Sequence, residues 1–263
     1  MGDEALAVGR EAKARTRRVR CLGRQVDLRK WLAKFWLTLR HQIFGQRYRR
    51  LTIEQVDDVS LIVLPDVFNP VLFRTGEFLA RAVQSTSILQ EDANPAPLVL
   101  DLGCGSGIGG VFAARRGSRV IAVDVNPEAI RCARLNAILN RVDDKIESRC
   151  GDLFAPVPDE RFDLVIFNPP FYRGQPGDDL DRAWRGEAVF ERFASCLAQH
   201  LKVQGQALIV LSTDGEGDSL LKELARNGFA TEPIARRDFV NEVITVYQVG
   251  RAASSSEKND HSL

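Results

Sequence analysis

Two short stretches of this 263-residue chain bring together the residue types that transfer chemistry needs. The first is Asp101-Leu102-Gly103-Cys104-Gly105-Ser106-Gly107, at the end of the apolar run Leu98–Leu102. Alternating glycines let a chain turn tightly and let a ligand lie against bare backbone. A helix starting there offers its positive end. Asp101, inside the strand end, would complement the ammonium of an amino-acid moiety and repel a pyrophosphate. Asp124 ends the next apolar run, 19 residues after Gly105. A carboxylate at that place accepts two hydrogen bonds from a ribose diol. Asn126-Pro127 is the better helix-capping pair, which leaves Asp124 for a ligand. Asp152, after a third run, suits an adenine amino group, with Leu153 packing on the ring. Gly105, Gly107 and Gly110 also spell G-x-G-x-x-G, so a nicotinamide or flavin site stays open at this point.

The second stretch is Asn168-Pro169-Pro170-Phe171, which closes the apolar run Phe162–Phe167. Two prolines cannot continue a central strand, so the chain leaves the sheet at the edge where open α/β folds bind ligands. The motif suits methylation of a planar nitrogen, whose lone pair is delocalised and weakly nucleophilic. The Asn168 side-chain oxygen and the Pro169 carbonyl can accept both N–H bonds of one NH2 group. That fixes the group, favours pyramidal geometry and aims its lone pair at a methyl sulfonium. Phe171 offers a flat wall to a planar substrate. No strong base is required, because placement and desolvation do most of the work. With S-adenosylmethionine as donor, the catalytic set is Asn168, Pro169 and Phe171.

Composition removes other chemistries. The three histidines, His41, His200 and His261, are far apart, and no Cys/His group has zinc spacing. Five scattered cysteines argue for a reducing, cytoplasmic setting over a disulfide scaffold. No apolar run reaches the length of a transmembrane helix, and no leading pattern reads as a secretory signal.

The elements that must position these groups follow from periodicity. Strands are predicted at Val59–Leu64, Leu98–Leu102, Arg119–Asp124, Ile146–Cys150, Phe162–Phe167, Gln206–Leu211, Phe229–Ala235 and Val243–Val249. Helices are predicted at Gly76–Val83, Ile108–Arg116, Pro127–Leu139, Glu187–Leu201 and Ser219–Asn227. Strands alternating with helices of this length predict an α/β fold, a doubly wound and mostly parallel sheet covered on both faces. The last two strands read as a closing hairpin.

Asp101–Gly107, Asp124 and Asn168-Pro169-Pro170-Phe171 together resemble the class I S-adenosylmethionine-dependent methyltransferases of the N5-glutamine/N6-adenine group. The resemblance covers roughly residues 60–250. It implies a seven-stranded sheet of order 3-2-1-4-5-7-6 with the seventh strand antiparallel. It implies cofactor contacts from Thr75, Asp101, Gly103, Cys104, Gly105, Gly107, Asp124, Val125, Asp152, Leu153 and Asn168. Val67–Pro70 and Thr75–Glu77 are similar to the segment that closes over the cofactor in that group. Asp181–Gly186 resembles an Ala-Trp-x-Gly stretch of release-factor glutamine enzymes, without the extra glycines. Phe171 stands where tyrosine is more typical of glutamine enzymes and phenylalanine is common among RNA adenine enzymes. The substrate stays open among a protein glutamine, an RNA or DNA adenine and a small molecule. A non-catalytic cofactor-binding adaptor is the alternative.

Charge divides the chain. Between Arg10 and Arg50 stand 14 basic and 2 acidic residues, against 22 basic and 31 acidic over 51–263. Leu28, Leu32, Phe35, Trp36, Leu39 and Ile43 recur at helical spacing within the basic stretch. The expected organisation is a basic extension over 1–50, a methyltransferase domain over 51–250 and a disordered tail over 251–263. Residues 22–50 are read as contacting RNA, an anionic membrane surface or the catalytic body itself.

Overall fold

The computed structural model describes residues 50–90, 92–170, 188–239 and 242–252. Phe171, the 172–186 segment with Trp184, nearly all of the basic extension and nearly all of the tail lie outside the described residues. Nine strands and five helices are described: β1 (Thr52–Val56), β2 (Val59–Val63), α1 (Thr75–Ser85), β3 (Leu98–Leu102), α2 (Ile108–Arg115), β4 (Arg119–Asp124), α3 (Pro127–Leu139), β5 (Ile146–Cys150), β6 (Phe162–Phe167), α4 (Val189–His200), β7 (Leu201–Ser212), α5 (Gly217–Arg226), β8 (Phe229–Phe239) and β9 (Glu242–Arg251).

Seven of the strands form one sheet, in the order β5-β4-β3-β6-β7-β9-β8. Pairing is parallel from β5 through β7, and β9 runs antiparallel to both β7 and β8. That is the order the resemblance implied. Strand β6 shows why the apolar runs fold this way: Leu164 and Ile166 point into one core, Val165 and Phe167 into the other. A strand with no polar face must be covered twice. Helices α1 and α2 cover the first face, and α4 and α5 the second. Helix α2 is buried from Ile108 to Ala114, so its first turn is locked in place beneath the ligand edge. No helix among the described residues is long and apolar enough to cross a membrane.

The differences from expectation lie at the margins. Strand β1 was not foreseen. It pairs antiparallel with β2 through a turn at Asp57 and Asp58, Asp57 taking a positive φ of 53°. This hairpin lies on α3, where Cys132 donates to the Ile62 carbonyl, Asn140 to the Ser60 carbonyl, and the buried Asn136 makes the most contacts. Asn136 accepts from the Ile62 amide at 2.7 Å and donates to the Ile62 carbonyl at 2.8 Å and to the Ser106 carbonyl at 2.8 Å. Strand β7 begins at Leu201, earlier than predicted, and β8 runs on to Phe239, past a register shift between Pro233 and Ala235.

Candidate active site

At the carboxyl ends of β3, β4 and β6, one cleft gathers most of the residues singled out above. Asp101, Gly103, Cys104, Gly105, Asp124, Val125, Asp152, Leu153 and Asn168 all line it. Thr75, Gly107 and Pro169 do not line it directly. Thr75 touches Asn168, Gly107 packs against α3, and Pro169 faces a small hollow on the far side of Pro170. Phe171 lies outside the described residues.

The glycine turn has its expected backbone reason. Gly103, Gly105 and Gly107 have φ of 63°, 52° and 76°, the left-handed region where a side chain is strained. The turn is closed by the Gly107 amide on the Cys104 carbonyl at 2.7 Å and tied to β4 by the Cys104 amide on the Val123 carbonyl at 2.9 Å. A side chain built at Gly105 would meet nothing nearer than Phe68 Cβ at 3.9 Å, so its backbone faces open cleft.

Asp101 lies under the turn. It is buried, and its Oδ2 accepts from the Gly110 amide at 2.7 Å. Burial pushes its carboxyl up to about 7, with the Gly110 amide pulling down and nearby Asp124 pushing up. A Cβ on Gly109 would stand 3.0 Å from Asp101 Oδ1, and one on Gly110 would stand 3.2 Å from Oδ2. Gly110, the third glycine of the dinucleotide-like pattern, therefore lets the helix backbone close onto a carboxylate. The third glycine of a dinucleotide site serves the same close helix–strand packing.

Asp124 is held from two sides. Its Oδ2 accepts from the Gly105 amide at 2.8 Å and its Oδ1 from the Asn126 amide at 2.9 Å. Burial raises its pKa while these amides and that of Val125 oppose the shift. The helix cap is Asn126, whose Oδ1 accepts from the Glu128 amide at 2.9 Å with Pro127 in the first turn. Asp152 stands differently: it is exposed and pairs with Arg192 of α4 at 2.7 Å. Leu153 beside it has a positive φ of 47°.

Across the cleft, Asn168 donates through Nδ2 to the buried Thr75 hydroxyl at 3.4 Å. Its Oδ1 is buried and has no hydrogen-bond partner among the described residues. A buried acceptor without a donor is costly, so an N–H group brought into the cleft would relieve it. The next two residues are prolines and contribute no N–H of their own.

Sequence reasoning assigned no individual role to Asp66, Phe68 and Val189, which also line the cleft, and read Asn126, another lining residue, only as a helix cap. Phe68 had a signal, since it stands in Val67–Pro70. That loop is shaped by Asn69, which donates to Glu54 Oε1 at 2.7 Å and Thr52 Oγ1 at 3.2 Å and accepts from the Val71 and Leu72 amides. Phe68 stacks on Phe73 with ring centroids 4.7 Å apart.

Comparison with known proteins decides the family. The profile of the methyltransferase small domain matches residues 75–233. The chain belongs to that family. It is a methyltransferase that uses S-adenosylmethionine as donor. A relative from Methanocaldococcus jannaschii, named as a protein N5-glutamine methyltransferase, is 31% identical over 209 residues, 76% of this chain and 99% of that one. Ribosomal RNA small subunit methyltransferase C of Haemophilus influenzae is 28% identical over 218 residues, 82% of this chain but only 55% of the relative. The Pyrococcus abyssi tRNA (uracil-54, C5)-methyltransferase, solved in complex with S-adenosyl-L-homocysteine, superposes with a TM-score of 0.54 at 22% identity. That match covers 76% of this chain and 44% of that one.

Proposed function

We propose that this enzyme methylates a planar amide or exocyclic amino nitrogen, with Asn168 and Pro169 holding the acceptor. The observation that carries this reading is the buried Asn168 Oδ1, an acceptor without a donor among the described residues, on the same cleft as the glycine turn. S-adenosylmethionine supplies an electrophilic methyl group on a sulfonium. When it is bound, Asp101 would hold its ammonium, Asp124 its ribose diol and Asp152 with Leu153 its adenine, along the bare backbone of Gly103 and Gly105. Thr75 holds the Asn168 amide so that nitrogen points to the hydroxyl and oxygen to the substrate. The Pro169 carbonyl takes the second N–H, and Phe171 supplies the flat wall. The acceptor nitrogen would take the methyl as its bond to sulfur breaks, the donor leaving as the neutral thioether, and would give up one proton to water. No strong base is needed when the lone pair is aimed and dry.

The relatives are named for a protein glutamine and for ribosomal RNA. Both fit an NH2 group attached to a planar carbon. The body is framed as residues 51–250, flanked by the basic extension and a polar tail. The free cysteines Cys104, Cys132, Cys150 and Cys196 support a reducing, cytoplasmic setting.

The test is transfer of tritiated methyl into cell fractions separated into protein, RNA and small molecules, with wild type beside Asn168→Ala. The expected result is label in one macromolecular fraction, lost in the variant. Equal label from both proteins would overturn the role of Asn168. Calorimetric titration that shows NAD binding, with none of S-adenosylhomocysteine, would overturn the reading of the cleft.

A further inference from the structure

Apolar surface stays uncovered mainly in one place. Of the eight exposed large apolar side chains among the described residues, five stand at the start of β1 or on α3: Leu51, Ile53, Leu135, Ile138 and Leu139. Single exposed apolar residues are ordinary, whereas a contiguous group marks a contact surface. These five are joined through Ile62. Ile53 is its cross-strand partner, so both lie on the face of the hairpin turned away from the buried Leu61 and Val63. Ile62 packs on the cluster that holds Cys132 of α3, whose thiol donates to the Ile62 carbonyl at 3.1 Å. Cys132, Leu135 and Leu139 follow one stripe of that helix, and Ile138 stands one turn beyond Leu135. An apolar strip thus runs from the first described residues across the hairpin and over the back of α3. The cations at its far border are engaged, Arg131 with Glu128 at 3.6 Å and Arg134 with the Ser148 carbonyl at 2.9 Å.

The course of the chain supplies an occupant. Leu51 belongs to the strip and is also the residue from which the basic extension departs. Within that extension Leu28, Leu32, Phe35, Trp36, Leu39 and Ile43 recur at helical spacing, and every charge among residues 28–43 is basic. A helix over those residues would measure about 24 Å, against about 20 Å for α3. Residues 44–50 join it to the strip, and seven extended residues reach about 23 Å, enough to turn back from β1 over α3. So short a tether holds the segment at a high effective concentration, which lets a modest apolar contact form without a partner. Charge favours the same contact, with 14 basic and 2 acidic residues from Arg10 to Arg50 against 22 basic and 31 acidic over 51–263.

We propose that residues 28–43 dock through their apolar side chains on the strip formed by the β1–β2 hairpin and α3, which holds the basic extension against the body with its lysines and arginines turned outward. A second copy of the chain, an anionic membrane and an RNA are the competing partners of the segment.

The experiment follows tryptic cleavage at Arg29, Lys30, Lys34 and Arg40 of the full-length protein by mass spectrometry. Beside it runs acrylamide quenching of Trp31 and Trp36 in a Trp184→Phe background, where they are the only tryptophans. For wild type, both cleavage and quenching should be weaker than in a free peptide of residues 22–50, at every protein concentration. Ile138→Gln with Leu139→Gln removes two apolar contacts on α3 without changing charge. Cleavage should then rise about tenfold, because proteolysis tracks the population of the open form. Quenching should approach that of the peptide. Leu32→Gln with Leu39→Gln should do the same from the other side, and the four substitutions together should add little, since one contact cannot be lost twice. Cleavage within residues 51–251 should match wild type, which reports an intact body. Cleavage of wild type as fast as that of the peptide would overturn the proposal, and so would protection that survives Ile138→Gln with Leu139→Gln. Protection that grows with protein concentration, alongside a dimer in sedimentation velocity, would assign the segment to a second copy. Protection seen only with phosphatidylserine vesicles would assign it to a membrane, and protection seen only with oligoadenylate to RNA. Each of these three results overturns docking within one chain.

Discussion

The two walls of the cleft are built by different means. On the glycine side, each carboxylate is gripped by main chain: Asp101 by the Gly110 amide, Asp124 by those of Gly105 and Asn126. On the acceptor side, the hydrogen bond that orients Asn168 runs to a side chain, Thr75, and the residues after it have no amide hydrogen to give. Main-chain donors are carried by any sequence that keeps the turn, so the first wall is a template set by backbone. The second depends on particular side chains. A fold arranged in this way can keep one donor while different sequences around the acceptor corner select different acceptors.

The sharpest way to break this contrast is Asn168→Ala. Methyl transfer should fall by about 10²–10³, the scale of removing one preorganised polar group from a transition state. Affinity for S-adenosylhomocysteine should change by no more than roughly threefold. Single-turnover rates beside calorimetry would separate the two. A matched loss in binding would mean that the two walls are not independent.

Asn136→Ala probes the support beneath the glycine wall. It strands the Ile62 amide and the Ser106 carbonyl and leaves the Ile62 carbonyl with the Cys132 thiol alone, a buried loss of about 2–4 kcal/mol. The urea midpoint should fall accordingly, with the slope of the transition unchanged.

The third test uses pH. Asp101 has its carboxyl raised to about 7 in the free protein, so it holds a proton near pH 6 that an unfolded chain has already released. The sign follows: stability from this group is greatest at low pH and declines as pH rises from its ordinary value through about 7. Binding a ligand ammonium favours the carboxylate, so the proton must leave. Affinity for S-adenosylhomocysteine should therefore rise by up to about tenfold per pH unit below 7 and level off above it. Asp101→Asn should flatten that profile. Titration in buffers of different ionisation enthalpy should count one proton released near pH 6.

The smallest effect belongs to Arg192→Met. Its ion pair with Asp152 is exposed on both sides, and such pairs contribute about 0–1 kcal/mol. Cofactor affinity should move by roughly threefold or less, in contrast to Asp101→Asn.

The parts legible in the sequence were those in which one physical demand dominates. Phe162–Phe167 has no polar face, so it had to be a doubly covered strand, and its bounds agree with the structure. Asn126-Pro127 signals a helix start, and α3 begins there. The hairpin strand β1 was hidden because its apolar Ile53 faces outward and its polar Thr52 and Glu54 are half-buried, the reverse of a useful alternation. The end of β8 was hidden for a related reason. Arg236-Arg237-Asp238 reads as loop, and an edge strand carrying charge is how a sheet protects its margin. The candidate cleft was largely legible because glycine, aspartate and proline mark backbone geometry in the chain itself. The Thr75–Asn168 contact depends on segments far apart in sequence meeting in space. The role of Asn136 is of the same kind, since a mid-helix asparagine gives no sign of what it will bridge.

That asparagine has a mechanical consequence. The hairpin it fastens is the root of the basic extension, and the carbonyl it fastens on the other side belongs to Ser106, inside the glycine turn. Two more side chains of α3 hold the same hairpin, Asn140 on the Ser60 carbonyl and Cys132 on the Ile62 carbonyl. Asn136 alone of the three also reaches the glycine turn, so a substitution there touches the amino-terminal hairpin and the seat of the methyl donor at once.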